Sequence, residues 1–145
     1  MRIFLFILFI TINFTLILKV NLLFKMKTLL IAYGISLVTV PWLMLGLAYL
    51  LNLLKIPFII DSQDLFIDFV FALMLMILLN LGILMSDVIV NVLLNFQQKN
   101  NAENIGRSPI RFALENRSGI KFIYKVVFCL LSIMMFYAIW LAKRQ

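Results

Sequence analysis

The feature that most restricts how this chain can fold is a run of 27 residues, 28–54, without a charged side chain. An α-helix of that length is about 40 Å long, whereas the hydrocarbon core of a bilayer is about 30 Å thick. Pro41 lies in the middle of the run and predicts a kink. Hydrophobic residues make up 65% of the 145 residues and charged residues 13%, against about 45–50% and about 25% in soluble domains. A small domain cannot bury so much apolar surface, so the sequence predicts an all-α integral membrane protein.

Four apolar segments predict four transmembrane helices within a single membrane domain, residues 1–145. The predicted spans are residues 3–24, 28–54, 65–90 and 122–142. A basic loop, residues 97–121, joins the third span to the fourth. Within it, Ser108 and Pro109 are typical of a helix start, and they predict a short helix over 109–117 that stops at Gly119.

The basic residues predict how the spans are oriented. Lys25 and Lys27 follow the first span, and five further cations lie in the loop 97–121. Cytoplasmic loops are enriched in Lys and Arg, so we expect both basic connections in the cytoplasm and both termini outside. A chain that started at Met26 would have three spans, with the same orientation from residue 28 onward. Richness in Ile, Leu, Phe, Asn and Lys favours a bacterial inner (plasma) membrane protein.

Several kinds of chemistry are excluded by residues that the sequence lacks. The chain has no His, and its single Cys, Cys129, lies in an apolar run, so neither a transition-metal centre nor an internal disulfide is expected. The sequence contains neither of two glycine-rich nucleotide-binding patterns, G-x-x-x-x-G-K-[ST] and G-x-G-x-x-G. We therefore expect no enzyme activity, no catalytic residue, no cofactor, no metal and no nucleic acid partner, and no small-molecule substrate is identifiable. The net charge of +7 is expected to meet anionic lipid headgroups.

Three carboxylates precede or begin the third span. Asp61, Asp64 and Asp68 are spaced by three and four residues, which places them on one face if the helix starts near Ser62. Two interpretations are open. Acidic residues stabilise the N-terminus of a helix, which is the favoured interpretation, and clustered oxygens also suit a divalent cation.

The third span carries the most informative polar pattern. Asn80, Asp87 and Asn91 are spaced by seven and four residues, so they share one helical face. Gly82 and Ser86 form a small-xxx-small pair on a different face, which permits close approach of another helix. Three interpretations are open: a structural role for Asp87 at the membrane interface, association with partner helices, or the lining of an aqueous path.

Five cations around the fourth span are predicted to lie at the membrane surface. They are Arg107, Arg111, Arg117, Lys121 and Lys125.

The layout, a few spans rich in Phe, Ile and Leu joined by one basic loop, resembles that of small plasmid- or phage-borne membrane proteins, including immunity proteins against pore-forming bacteriocins. The resemblance is one of layout and assigns no residue a role. Together with the missing catalytic groups, it favours a non-enzymatic multi-pass protein that acts by helix–helix association with another membrane protein, as an accessory subunit or an immunity- or exclusion-type factor. Expected partners are the lipid bilayer and another membrane protein or a second copy. The alternative is an oligomeric pore or holin-like channel lined by the polar face of the third span.

Overall fold

The computed structural model describes residues 1–23, 25–55, 63–100 and 108–142, and within these ranges it contains helices and no strand. The helices are α1 (Arg2–Leu23), α2 (Met26–Leu53), α3 (Gln63–Asn100), α4 (Ser108–Glu115) and α5 (Arg117–Trp140). All except α4 are long and apolar enough to cross a membrane. The chain is therefore an all-α, multi-pass membrane protein, as composition and span length predict.

Two helices extend past the predicted spans into the basic loop. Helix α3 continues to Asn100, and α5 begins at Arg117 rather than at residue 122. The predicted stop at Gly119 is wrong, because Gly119 lies inside α5 and the chain instead breaks at Asn116. The backbone at Asn116 departs from helical geometry (φ −101°, ψ 24°), and its side chain donates a hydrogen bond to the carbonyl of Phe112 at 3.0 Å.

The predicted short helix in the loop is confirmed as α4. Its apolar residues Ile110, Ala113 and Leu114 are partly buried, whereas Arg111 and Phe112 are exposed. Helix α4 contacts both α3 and α5, so it closes the connection between these two helices at one end of the bundle.

Helix α3 is the centre of the bundle. Helices α1, α3 and α5 contact one another, and α2 packs mainly against α3. Three buried clusters hold the helices together: Phe9, Ala72, Phe136 and Trp140; Ile17, Ile83 and Cys129; Leu29 and Leu84. The residue numbers in these clusters rise together in α1 and α3 and fall in α5. On α2, Leu29 packs on Leu84, whereas Pro41 and Leu45 lie beside Val70 and Met74, so its numbers also fall as those of α3 rise. Successive spans therefore alternate in direction.

Helix α2 is the least enclosed of the four spans. It stays helical through Pro41, so the proline does not interrupt it. The helix ends at Leu53, and Lys55 follows with φ 49°, a left-handed conformation often found after a helix C-terminus. Leu29 is buried, but Trp42 and Leu43 are exposed. One face of α2 packs on α3, and much of the rest of its surface is exposed.

Candidate functional site

Two ion pairs lie near opposite ends of the bundle, and their separation along α3 matches the thickness of a hydrocarbon core. Arg2 Nη2 lies 3.4 Å from Asp68 Oδ2, and Lys121 Nζ lies 3.3 Å from Asp87 Oδ1. Asp87 follows Asp68 by 19 residues, a rise of about 28 Å along α3, which is close to the thickness of a hydrocarbon core, about 30 Å. We call the end that contains Lys121 and Asp87 the basic end.

Asp87, the central residue of the polar pattern, lies between α3 and α5. Its side chain is 5% exposed, against 28% for Lys121. The hydroxyl of Tyr124 donates a hydrogen bond to the same carboxylate oxygen, Oδ1, that Lys121 contacts. A carboxylate so enclosed needs a counter-charge and a hydrogen-bond donor, and α5 supplies both.

Asn91 meets α5 one turn further toward the basic end. Its Oδ1 accepts a hydrogen bond of 2.6 Å from Arg117 Nη2. Arg117 and Lys121 are four residues apart on α5, and Asp87 and Asn91 are four apart on α3, so matching turns of the two helices pair. The structure thus brings Asp87 and Asn91 together in one polar contact between α3 and α5.

Asn80 lies apart from that contact and faces α1. Its Nδ2 donates to Asn13 Oδ1 at 2.9 Å and to the carbonyl of Met76 at 2.8 Å. Asn13 is fully buried, and its own Nδ2 has no hydrogen-bond partner among the described residues. The bond joins α1 to α3 near the middle of the membrane, where hydrogen bonds between helices contribute about 0.6 kcal/mol on average.

The small residues Gly82 and Ser86 also act within the chain. A Cβ built on Gly82 would lie 3.0 Å from Cε1 of Phe128, so the glycine makes room for this ring of α5. The Ser86 hydroxyl donates to the Gly82 carbonyl at 2.9 Å. Gly82 therefore permits close packing of α3 on α5, and Ser86 satisfies its hydrogen bond within its own helix.

The cations predicted for the membrane surface differ in their surroundings. Arg111 is exposed and pairs with Glu115 at 2.7 Å, while Arg117 and Lys121 face α3. Lys125 is half-buried, and Arg107 lies outside the described residues.

The three aspartates near the start of α3 do not form one cluster in the described part of the chain. Asp64 lies in the first turn of α3, as the helix-stabilising interpretation expects, and Asp68 pairs with Arg2. Asp61 lies outside the described residues. Within those that are described, no group of three His, Cys, Asp or Glu side chains is placed to hold a metal ion.

An apolar groove of about 690 Å³ opens between α2 and α5, with α3 as its floor. Its walls include Pro41 and Leu45 of α2, Val70 and Met74 of α3, and Ala138 and Ile139 of α5. Val70 and Met74 lie between the levels of Asp68 and Asp87, so the groove faces hydrocarbon. Sequence reasoning missed this feature, because it depends on where α2 packs; Pro41 was the one residue of the groove that the sequence marked.

The sequence did not predict which side chains bond to Asn80 and Asp87. Asn13 and Tyr124 are polar side chains in apolar spans, and this is the only signal that the sequence gives for them. It does not state which of them meets Asn80 and which meets Asp87.

No protein-family model, curated protein or solved structure matches the chain.

Proposed function

We propose that this chain is a non-enzymatic membrane protein that binds an apolar transmembrane helix of another membrane protein in the groove between α2 and α5. The observation that carries the proposal is the groove itself, about 690 Å³ in volume and lined by apolar side chains of three helices. Because it faces hydrocarbon, its occupant must be apolar. Both buried carboxylates of the described residues, Asp68 and Asp87, are ion-paired within the chain and lie outside the groove.

A small residue in one wall favours a helix over a lipid chain as the occupant. Ala138 forms part of the wall that α5 supplies. Helices in membranes associate by close packing at such small residues, since lipid is as apolar as the helices.

The location proposed for the protein is a bacterial inner membrane, with the basic end in the cytoplasm and both termini outside. The excess of Lys and Arg at the basic end supports this orientation. The orientation can be tested by fusing to the C-terminus a reporter that is active on only one side of the membrane. If a reporter that works only in the cytoplasm is active at the C-terminus, the orientation is the opposite of the one proposed.

Site-specific photo-crosslinking tests the binding proposal. A photoreactive phenylalanine replaces Leu45, which lines the groove; in a second variant it replaces Leu43, which lies on the opposite face of α2. Both positions are exposed, at 63% and 69%, so accessibility is matched. We expect a discrete protein adduct from position 45 alone, and we expect Ala138→Trp, which fills the groove, to abolish it.

Three other outcomes would contradict or change the proposal. Equal adducts from both positions, or adducts that survive Ala138→Trp, would show that the groove is not the binding site. An adduct of twice the mass of the chain would make the partner a second copy. For the pore alternative, membrane potential is followed while the protein is produced: depolarisation that Asp87→Leu abolishes would favour a channel lined by α3.

A further inference from the structure

Charge is distributed very unequally between the two ends of the bundle. At the end opposite the basic end, the described charged side chains are two cations, Arg2 and Lys55, and two carboxylates, Asp64 and Asp68. At the basic end, Asp87 and Glu115 are the described carboxylates. The described cations there are Lys19, Lys25, Lys27, Lys99, Arg111, Arg117, Lys121 and Lys125. This end therefore carries a strong local excess of positive charge.

Three of these cations continue the inward face of α5. Farther along this helix the inward face is formed by the buried residues Cys129, Ser132, Phe136 and Trp140. Toward the basic end, steps of four residues lead from Cys129 to Lys125, Lys121 and Arg117, and all three are partly buried. The face of α5 that packs in the core thus becomes cationic over two turns centred on the level of Asp87.

Protein groups neutralise little of this face. Asp87 balances the charge of Lys121. Arg117 is held by Asn91, a neutral amide that takes one of its hydrogen bonds. Lys125 has no carboxylate within 4 Å among the described residues. Two partly buried positive charges, on Arg117 and Lys125, are therefore left without a described counter-ion, and partial burial makes that costly.

We propose that Arg117 and Lys125 bind the phosphate of an anionic phospholipid in the leaflet at the basic end. The two residues are eight apart on one helical face, about 12 Å along the axis, and lie one turn to either side of Lys121. Basic pockets between transmembrane helices are known sites for anionic headgroups. Beside them Phe122 and Ile123 are exposed, at 62% and 63%, and offer an apolar surface for the acyl chains.

Asp87 has a defined role in this arrangement. By pairing with Lys121 and accepting from Tyr124, it neutralises the middle charge of the cationic face, so that the two outer cations are left for the phosphate. The lipid site lies at the membrane boundary, whereas the groove between α2 and α5 lies within the hydrocarbon. The two proposals therefore stand or fall separately.

Native mass spectrometry of the full chain, purified in a zwitterionic detergent, tests the site. Phosphatidylglycerol or phosphatidylcholine is added, and the fraction of chain that retains lipid is measured. A Lys or Arg near anionic lipid contributes about fivefold in affinity. We therefore expect phosphatidylglycerol to bind about 25-fold more tightly than phosphatidylcholine, and Lys125→Gln and Arg117→Gln each to remove about fivefold of this preference.

Matched variants separate a site from general attraction. Lys99→Gln removes the same charge from the same end but lies outside the proposed site, so its effect should stay under about twofold; Lys125→Arg should retain the preference. Equal losses from Lys99→Gln and Lys125→Gln would overturn the proposal. So would displacement of the lipid by excess inorganic phosphate, which would identify a site for the free anion. Far-ultraviolet circular dichroism verifies that every variant keeps its helix content, and a loss of lipid preference counts only in a folded variant.

Discussion

The hydrogen bond between Asn13 and Asn80 makes an asymmetric prediction for two substitutions of the same kind. Asn80 donates both to Asn13 and to the Met76 carbonyl, whereas the Nδ2 of Asn13 is unpartnered among the described residues. Replacing Asn80 by Leu therefore leaves a fully buried amide with neither its donor nor its acceptor satisfied. Replacing Asn13 by Leu removes the unsatisfied amide and leaves Asn80 bonded within its own helix.

The magnitudes follow from this difference. Asn80→Leu loses a hydrogen bond between helices, which contributes about 0.6 kcal/mol. It also leaves Asn13 buried without a partner, and a buried unsatisfied polar group costs about 1–3 kcal/mol. We expect a total loss of about 2 kcal/mol in the free energy of unfolding. Asn13→Leu should change stability by less than about 0.5 kcal/mol. The double variant should be close to wild type, because replacing both partners by apolar groups of similar shape is nearly neutral.

Reversible unfolding in mixed detergent and dodecyl sulfate micelles, followed by circular dichroism, measures the four free energies. Thr11→Val serves as the control on α1, because the Thr11 hydroxyl is exposed and bonds to the carbonyl of Ile7 in its own helix. Additive losses in the double variant would refute the reasoning. Equal losses from Asn13→Leu and Asn80→Leu would refute it as well, since both results would mean that the two amides do not interact as described.

Further predictions concern the contacts of α3 with α5 and with α1. Gly82→Ala should cost about 1 kcal/mol, because the added Cβ comes within 3.0 Å of the Phe128 ring, and Phe128→Leu should restore stability in the same unfolding assay; no rescue would argue against that contact. Lys121→Met should cost about 2–3 kcal/mol, because it leaves a carboxylate that is 5% exposed without its cation. Asp87→Asn should cost less than half of that, since Lys121 can turn to the headgroups; the reverse order would contradict this account. Deleting residues 1–25 removes both polar partners that α1 supplies to α3, so immunoblots of membranes should show a strongly reduced amount of protein, and normal accumulation would show that α1 is dispensable.

The class of fold was predictable because a bilayer imposes its thickness on the sequence. A run such as 28–54 is apolar over a length that only a membrane crossing requires, and this signal is local. The limits of the helices were less predictable. Helix α5 begins at Arg117, because the backbone at Asn116 departs from helical geometry, and such a departure at a single residue leaves little trace in composition or periodicity.

The polar face of α3 was predictable, but its neighbours were not. Spacing alone places Asn80, Asp87 and Asn91 on one side of a helix. Which helix they meet depends on how four apolar cylinders pack, and that is decided by contacts such as the fit of Phe128 against Gly82. Within the chain, Asn80 bonds to α1, whereas Asp87 and Asn91 bond to α5.

The polar contacts that stabilise this protein lie on the sides of α3 that face α1 and α5, whereas the groove proposed for binding lies beside α2. Its described polar contacts are made with α1 and α5: the ion pairs of Asp68 and Asp87 at the two ends, and the amide bond of Asn80 between them. A partner that used the same groups would have to break contacts that span the bundle. The groove beside α2 carries no such cost, because α2 adds apolar packing and no described polar bond to α3. Substitutions on the groove side of α2 should therefore alter binding at nearly constant stability, whereas substitutions on the polar face of α3 should alter stability first.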